Sequence, residues 1–277
     1  MSESESGPGS AFMQAGGVRL HYNDIGKGQP VICLHGGGPG ASGWSNFSQN
    51  VPALSAKFRL LLVDMPQFGR SEKVVFKEGR LTYVARVLKD FVDQLELGRP
   101  HFIGNSMGAQ TAFKLAIDYP DRIDRLVAMG NGSITQTVFT PRPTEGVKMI
   151  QAFYKGAGPT PEKLRRLIET LVYDASFLTE ELLAQRFAAA NDPETVALWS
   201  KNPPANEEIG AQLDKVGCRT LLVWGLEDRF SPIEGGLALL KRLKDARLHV
   251  FAKCGHWAQV EKAREFERLT LDFLQAD

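Results

Sequence analysis

The chain has 277 residues, 43% of them apolar and 23% charged, which is enough to bury a substantial core. A formal net charge of +1, with Lys and Arg scattered rather than blocked, gives no electrostatic footing for nucleic acid or an anionic membrane. Cys33, Cys218 and Cys254 are odd in number and far apart, so a disulfide framework or zinc site is not expected, and reduced thiols and a cytoplasmic location are.

The Ser-, Glu- and Gly-rich start carries no apolar stretch, and residues 1–12 are expected to form a flexible tail. Pro30–Leu34 and Arg59–Val63 are short, continuously apolar runs that end in Gly- or Pro-marked loops, which predicts buried strands. Leu81–Leu95 has helical spacing and stops before Gly98. His101–Gly104 predicts a strand, Met107–Tyr119 a helix closed by Pro120, and Arg125–Met129 another strand. Strand and helix alternating in this way predict a parallel sheet covered on both faces.

Strand signals then fade. Helices are predicted over Pro161–Tyr173, Thr179–Asn191 and Asp192–Ser200, with Thr160 and Thr179 in capping positions. Strands return at Thr220–Trp224 and Arg247–Phe251, and a helix over Lys262–Leu274 ends the chain. The predicted organisation is an α/β core of residues 13–133 plus 210–277, interrupted by a helical cap of residues 134–209. No apolar run approaches the roughly 20 residues of a membrane span.

Chemistry concentrates in three places. Gly104-Asn105-Ser106-Met107-Gly108 lies between a predicted strand and a predicted helix. A sharp strand-to-helix turn presents its middle residue at the top of the sheet, and Ser106 there is a candidate nucleophile at a helix N-terminus. A serine hydroxyl needs a base. His256 follows the last strand, whereas His101 and His249 fall at or within strands. Asp228 follows the strand Thr220–Trp224, so both partners come to the carboxyl edge of the sheet, and the order Ser, Asp, His suits this fold. Glu227 is the competing acid.

His35-Gly36-Gly37-Gly38-Pro39-Gly40 follows the first core strand. No Gly-Lys-Ser/Thr follows, which removes a phosphate-binding loop, and a bare backbone beside the nucleophile suits an oxyanion hole, with Gly37 and Met107 N–H as donors.

The chain resembles the meta-cleavage product hydrolases, the carbon–carbon hydrolases of aromatic-ring degradation within the α/β-hydrolase superfamily. The matching stretches are Leu34–Phe47 (LHGGGPGASGWSNF), Ile103–Gly108 (IGNSMG), Tyr119–Leu126 (YPDRIDRL), Trp224–Pro232 (WGLEDRFSP) and Ala246–Val260 (ARLHVFAKCGHWAQV). The resemblance implies an α/β-hydrolase fold, no cofactor or metal, homo-oligomers, and a small-molecule partner, a 2-hydroxy-6-oxohexa-2,4-dienoate. It also implies that Arg186 binds the substrate carboxylate and that Gly36, Gly38, Asn46, Asn105 and Trp257 line the polar end of the pocket. Phe139, Ile150, Phe153 and Val172 are candidates for the apolar end. Ala109 and Gln67 stand where relatives more often carry glycine. A carboxylesterase or lactonase on the same fold, and a ligand-sensing binding module, remain as alternatives.

Overall fold

The computed structural model describes residues 7–131, 139–199, 201–202 and 207–276. Eight strands form one sheet: β1 (Ser10–Ala15), β2 (Val18–Ile25), β3 (Pro30–Leu34), β4 (Arg59–Val63), β5 (His101–Asn105), β6 (Arg125–Met129), β7 (Arg219–Gly225) and β8 (Ala246–Phe251). Their spatial order is β1-β2-β4-β3-β5-β6-β7-β8. The pairs β1–β2 and β2–β4 are antiparallel and every other pair is parallel.

The helices are α1 (Gly43–Phe47), α2 (Val51–Leu54), α3 (Arg80–Gln94), α4 (Met107–Asp118), α5 (Glu145–Phe153), α6 (Pro161–Leu171), α7 (Glu180–Ala190), α8 (Pro193–Trp199), α9 (Ile233–Arg242), α10 (Ala258–Glu261) and α11 (Ala263–Gln275). Among the described residues, no helix is long and apolar enough to cross a membrane.

Two core layers explain the continuous apolar strands. Ile32 and Leu34 pack with α3 and α4 residues such as Phe91 and Phe113. Val31 and Cys33, one step out of phase, pack with Phe47 of α1 and Phe266 and Phe273 of α11. A strand buried on both faces has no polar side, so the two-residue alternation disappears from its sequence.

The start of the chain differs from expectation. Residues 1–12 were expected to be a tail, yet β1 begins at Ser10 and pairs with β2. Pro8 O already accepts a hydrogen bond from Asn23 Nδ2 at 2.8 Å. The signal was the Gly16-Gly17 pair between two alternating segments, a hairpin pattern.

Helices α5 to α8 lie between β6 and β7, and α5 to α7 build a cluster of their own, with Phe153, Leu164, Ile168, Leu171 and Leu183 joined by Trp257. The expected caps are present: Thr160 Oγ1 accepts from Lys163 N and Thr179 Oγ1 from Leu182 N. The expected cap starts at 134, which lies outside the described residues. At its far end Ile209 already packs in the main core, and Glu207 binds Leu81 N and Thr82 N at the start of α3.

Candidate active site

β5 turns into α4 at Ser106, which has φ 53° and ψ −114°. A non-glycine residue in this region is strained, and the turn holds it by a bond from Ser106 N to Met129 O at 2.7 Å. The flanking glycines are required by space. A Cβ on Gly104 would lie 2.6 Å from Ala109 N, and one on Gly108 would lie 2.2 Å from Leu34 O. Ala109 itself is buried in the core and leaves the turn intact.

His256 Nδ1 and Asp228 Oδ2 are 2.7 Å apart, and both side chains are almost fully buried. Asp228 is the fixed end of this pair, because its Oδ1 accepts from Phe230 N and Ser231 N at 2.7 and 2.8 Å. Glu227, the competing acid, is engaged elsewhere, accepting from Cys254 N at 3.0 Å. The Phe230 ring lies 5.0 Å from the imidazole and limits its rotation. Gly130, just after β6, leaves room for the pair, since a Cβ there would come within 2.7 Å of the His256 ring. Neither Phe230 nor Gly130 was recognised from sequence, although a glycine ending a buried strand is a sign of close approach.

A cavity of about 700 Å³ is lined by Ser106, His256, Gly36, Gly37, Gly38, Asn46, Asn105, Met107, Arg186 and Trp257. The candidate nucleophile, base, oxyanion-hole and polar-end residues expected from sequence therefore line one space, while Asp228 stands behind the histidine. Among the described residues, Ser106 makes no hydrogen bond to His256; the two meet as walls of this cavity. Catalytic hydrogen bonds of this type often tighten only around substrate.

The glycine loop is held from below. His35 is buried, its Nδ1 donating to Gly36 O at 2.8 Å while Nε2 accepts from Met65 N at 3.0 Å. Burial lowers its pKa and keeps it neutral, as both contacts require. Gly36 N donates to Asn46 Oδ1 at 3.1 Å. Gly37 lies against Met107, where a Cβ would be 3.1 Å from the sulfur. Met107 is the first residue of α4, so its N–H has no acceptor within the helix. Asn105 Nδ2 donates to His256 O at 3.2 Å, while its buried Oδ1 has no hydrogen-bond partner.

Arg186 reaches in from α7. Its Nε donates to Pro39 O at 3.1 Å and its guanidinium carbon lies 4.9 Å from the Trp257 ring centre. Burial lowers its pKa from 12.5 to about 10, against the opposing influence of Tyr154. Of the residues expected at the apolar end, Ile150 lines the cavity. Phe153 and Val172 are core of the helical segment. Phe139 is 87% exposed, a correction explained by its place just ahead of α5, where its N–H donates to Glu234 on the surface. Val147, Leu171 and Phe230 complete the apolar wall.

Residues 29–263 match the family described as the alpha/beta hydrolase fold. A 2-hydroxy-6-oxo-6-phenylhexa-2,4-dienoate hydrolase from Comamonas testosteroni is 44% identical, covering 92% of this chain and 91% of its own. A 2-hydroxy-6-oxononadienedioate/2-hydroxy-6-oxononatrienedioate hydrolase from Burkholderia vietnamiensis is 43% identical, covering 93% and 91%. Among solved structures, a meta-cleavage product hydrolase from Pseudomonas fluorescens superposes with TM-score 0.83 at 30% identity, covering 98% of each chain. With this fold, and these relatives along nearly its whole length, the chain belongs to the α/β hydrolases and, within them, to the meta-cleavage product hydrolases.

Proposed function

We propose that the protein hydrolyses the carbon–carbon bond beside the 6-oxo group of 2-hydroxy-6-oxohexa-2,4-dienoates, giving 2-hydroxypenta-2,4-dienoate and a carboxylic acid. The observation that carries this reading is one cavity holding Ser106 and His256 together with the half-buried cation Arg186. An ester hydrolase has no need of that cation, whereas a dienoate carboxylate does.

A carbon leaving group must be able to hold an electron pair. Moving the 2-hydroxyl proton to C5 gives a 2,6-dioxo form whose departing fragment is a stabilised dienolate. Ser106 Oγ then adds to C6 as its proton passes to His256, and Asp228 stabilises the imidazolium. Gly37 and Met107 N–H face the new oxyanion; one such donor contributes about 3 kcal/mol. Collapse breaks the C5–C6 bond, the dienolate takes the imidazolium proton and leaves as 2-hydroxypenta-2,4-dienoate, and the acyl-serine is cleaved by water with the now neutral His256 as base. Arg186, with Asn46, Asn105, Trp257 and the flanking Gly36 and Gly38, holds the carboxylate end. Val147, Ile150, Leu171 and Phe230 support an aryl or alkyl 6-substituent. Helices α5 to α8, within residues 134–209, act as the cap over a core of residues 13–133 plus 210–277.

Cytoplasmic location and homo-oligomers belong to the same reading. Three buried free cysteines support the first. The exposed Leu226, Leu237 and Val250 beside edge strand β8 support the second. The decisive assay is loss of the yellow chromophore from ring-fission products bearing methyl, phenyl or hydroxyphenyl groups. Turnover by the wild type and none by Ser106→Ala is expected; wild-type protein indifferent to the whole panel rejects the proposal.

A further inference from the structure

A second serine stands in a hydrogen-bonded relay away from Ser106. Ser10 Oγ lies 2.9 Å from His21 Nε2, and His21 Nδ1 lies 2.8 Å from Asp64 Oδ2. Three neighbouring strands deliver them: Ser10 from β1, His21 from β2, and Asp64 from the residue after β4. In the β1–β2 register Ser10 is opposite Asn23 and Phe12 opposite His21, so Ser10 and His21 are diagonal neighbours on one face of the sheet.

The proton positions are constrained. Asp64 and His21 are buried, 2% and 1% exposed, and Asp64 also accepts from Gly43 N and Arg70 N at 2.7 and 2.9 Å. A carboxylate receiving those donors stays ionised, fixes the proton of His21 on Nδ1 and leaves Nε2 as an acceptor toward Ser10. Ser10 itself is exposed, and Arg70 Nη1 donates to its oxygen at 3.0 Å. Hydroxyl, base, orienting acid and an adjacent cation are the parts needed to acylate a serine.

We propose that Ser10 is a second nucleophile, acylated by activated aryl esters of short carboxylic acids. Ser10 Oγ forms a bond to the ester carbonyl carbon as its proton passes to His21 Nε2. The carbonyl–aryloxide bond then breaks and the aryloxide leaves with that proton. Arg70 faces the transient oxyanion. This relay shares no residue with the Ser106 site, so it stands or falls independently of the dienoate reading.

The test uses p-nitrophenyl acetate on full-length Ser106→Ala protein, read by intact mass, peptide mapping and p-nitrophenolate release. One acetyl group on Ser10 is expected, with a stoichiometric burst that vanishes in the Ser10→Ala/Ser106→Ala protein. Ser10→Ala alone keeps dienoate turnover at the wild-type level, which shows that this variant folds. An unacetylated Ser106→Ala protein, or label that persists without Ser10, overturns the proposal and leaves the relay as a fastener of β1.

Discussion

Arg186 and Pro39 are joined by a 3.1 Å bond from the Arg186 Nε to the Pro39 carbonyl, which holds helix α7 against the glycine loop. The guanidinium lies over Trp257, and among the described residues no acid pairs with it. Arg186→Ala should lower kcat/KM on dienoates about 10- to 100-fold, the usual range for a hydrogen-bonded charge. Hydrolysis of p-nitrophenyl esters by the same variant should change little. Parallel assays decide it, and equal losses on both substrates remove the carboxylate role.

Asp228 and Glu227 are adjacent in sequence, but only Asp228 reaches His256. Asp228→Asn should cut kcat roughly 10³- to 10⁴-fold by disturbing the histidine tautomer and removing the balancing charge. Glu227→Gln should leave kcat within a few-fold and act instead on stability through Cys254 N. Steady-state kinetics with urea unfolding separates the two; a catalytic defect greater for Glu227→Gln would reassign the acid.

Gly108→Ala tests the elbow without touching a reacting group. The added methyl would meet backbone, Leu34 O at 2.2 Å, which cannot swing aside as a side chain can. A stability loss of about 1–3 kcal/mol or more is expected, with the Ser106 turn displaced and activity falling in step. A fully stable and active variant would contradict the packing described.

Acid should destabilise the fold through His35. Its pKa is lowered in the folded chain by burial and stands near 6.5 when unfolded. The unfolded chain therefore takes up the proton first, and stability falls as the pH drops below 6.5, by about 1.4 kcal/mol per pH unit for each such group. His101, lowered by burial as well, adds to the slope. Urea midpoints measured on both sides of pH 6.5 should show the decline, and a flat profile would mean that His35 is not held neutral.

Gln67 offers a test of strain. It sits at φ 84°, a left-handed backbone conformation, while its side chain binds Val74 O. Gln67→Gly relieves about 1 kcal/mol of backbone strain but gives up that hydrogen bond and adds chain entropy. The expected outcome is a thermal midpoint within a few degrees of wild type. A large drop would show that the Val74 contact organises the loop.

The sequence made most of this architecture legible where local pattern and tertiary need agreed. Pro30–Leu34, Arg59–Val63 and Arg125–Met129 have the strand limits their apolar runs predict, because burial on both faces leaves no ambiguity. The elbow was readable since Gly104 and Gly108 are demanded by contacts that follow from the turn itself. The β1–β2 hairpin was missed because its residues alternate only partly and its start reads as polar tail. Phe139 was misplaced because an aromatic residue signals burial without saying where the chain emerges. Gly130, Phe230 and the support given by His35 depend on packing between segments distant in sequence, which no local spacing encodes.

The loop bearing His256 is tethered to the last turn of α6. His256 N donates to Leu171 O at 2.6 Å, and Glu261 accepts from both Tyr173 N and Gly255 N. The imidazole thus takes part of its placement from the inserted helices rather than from the sheet alone. Excising those helices to widen substrate scope would not yield a roomier hydrolase, for it would also remove the Leu171 carbonyl that anchors the loop of His256. Redesign of this scaffold has to keep the Leu171 carbonyl anchored even where the helices around it are exchanged.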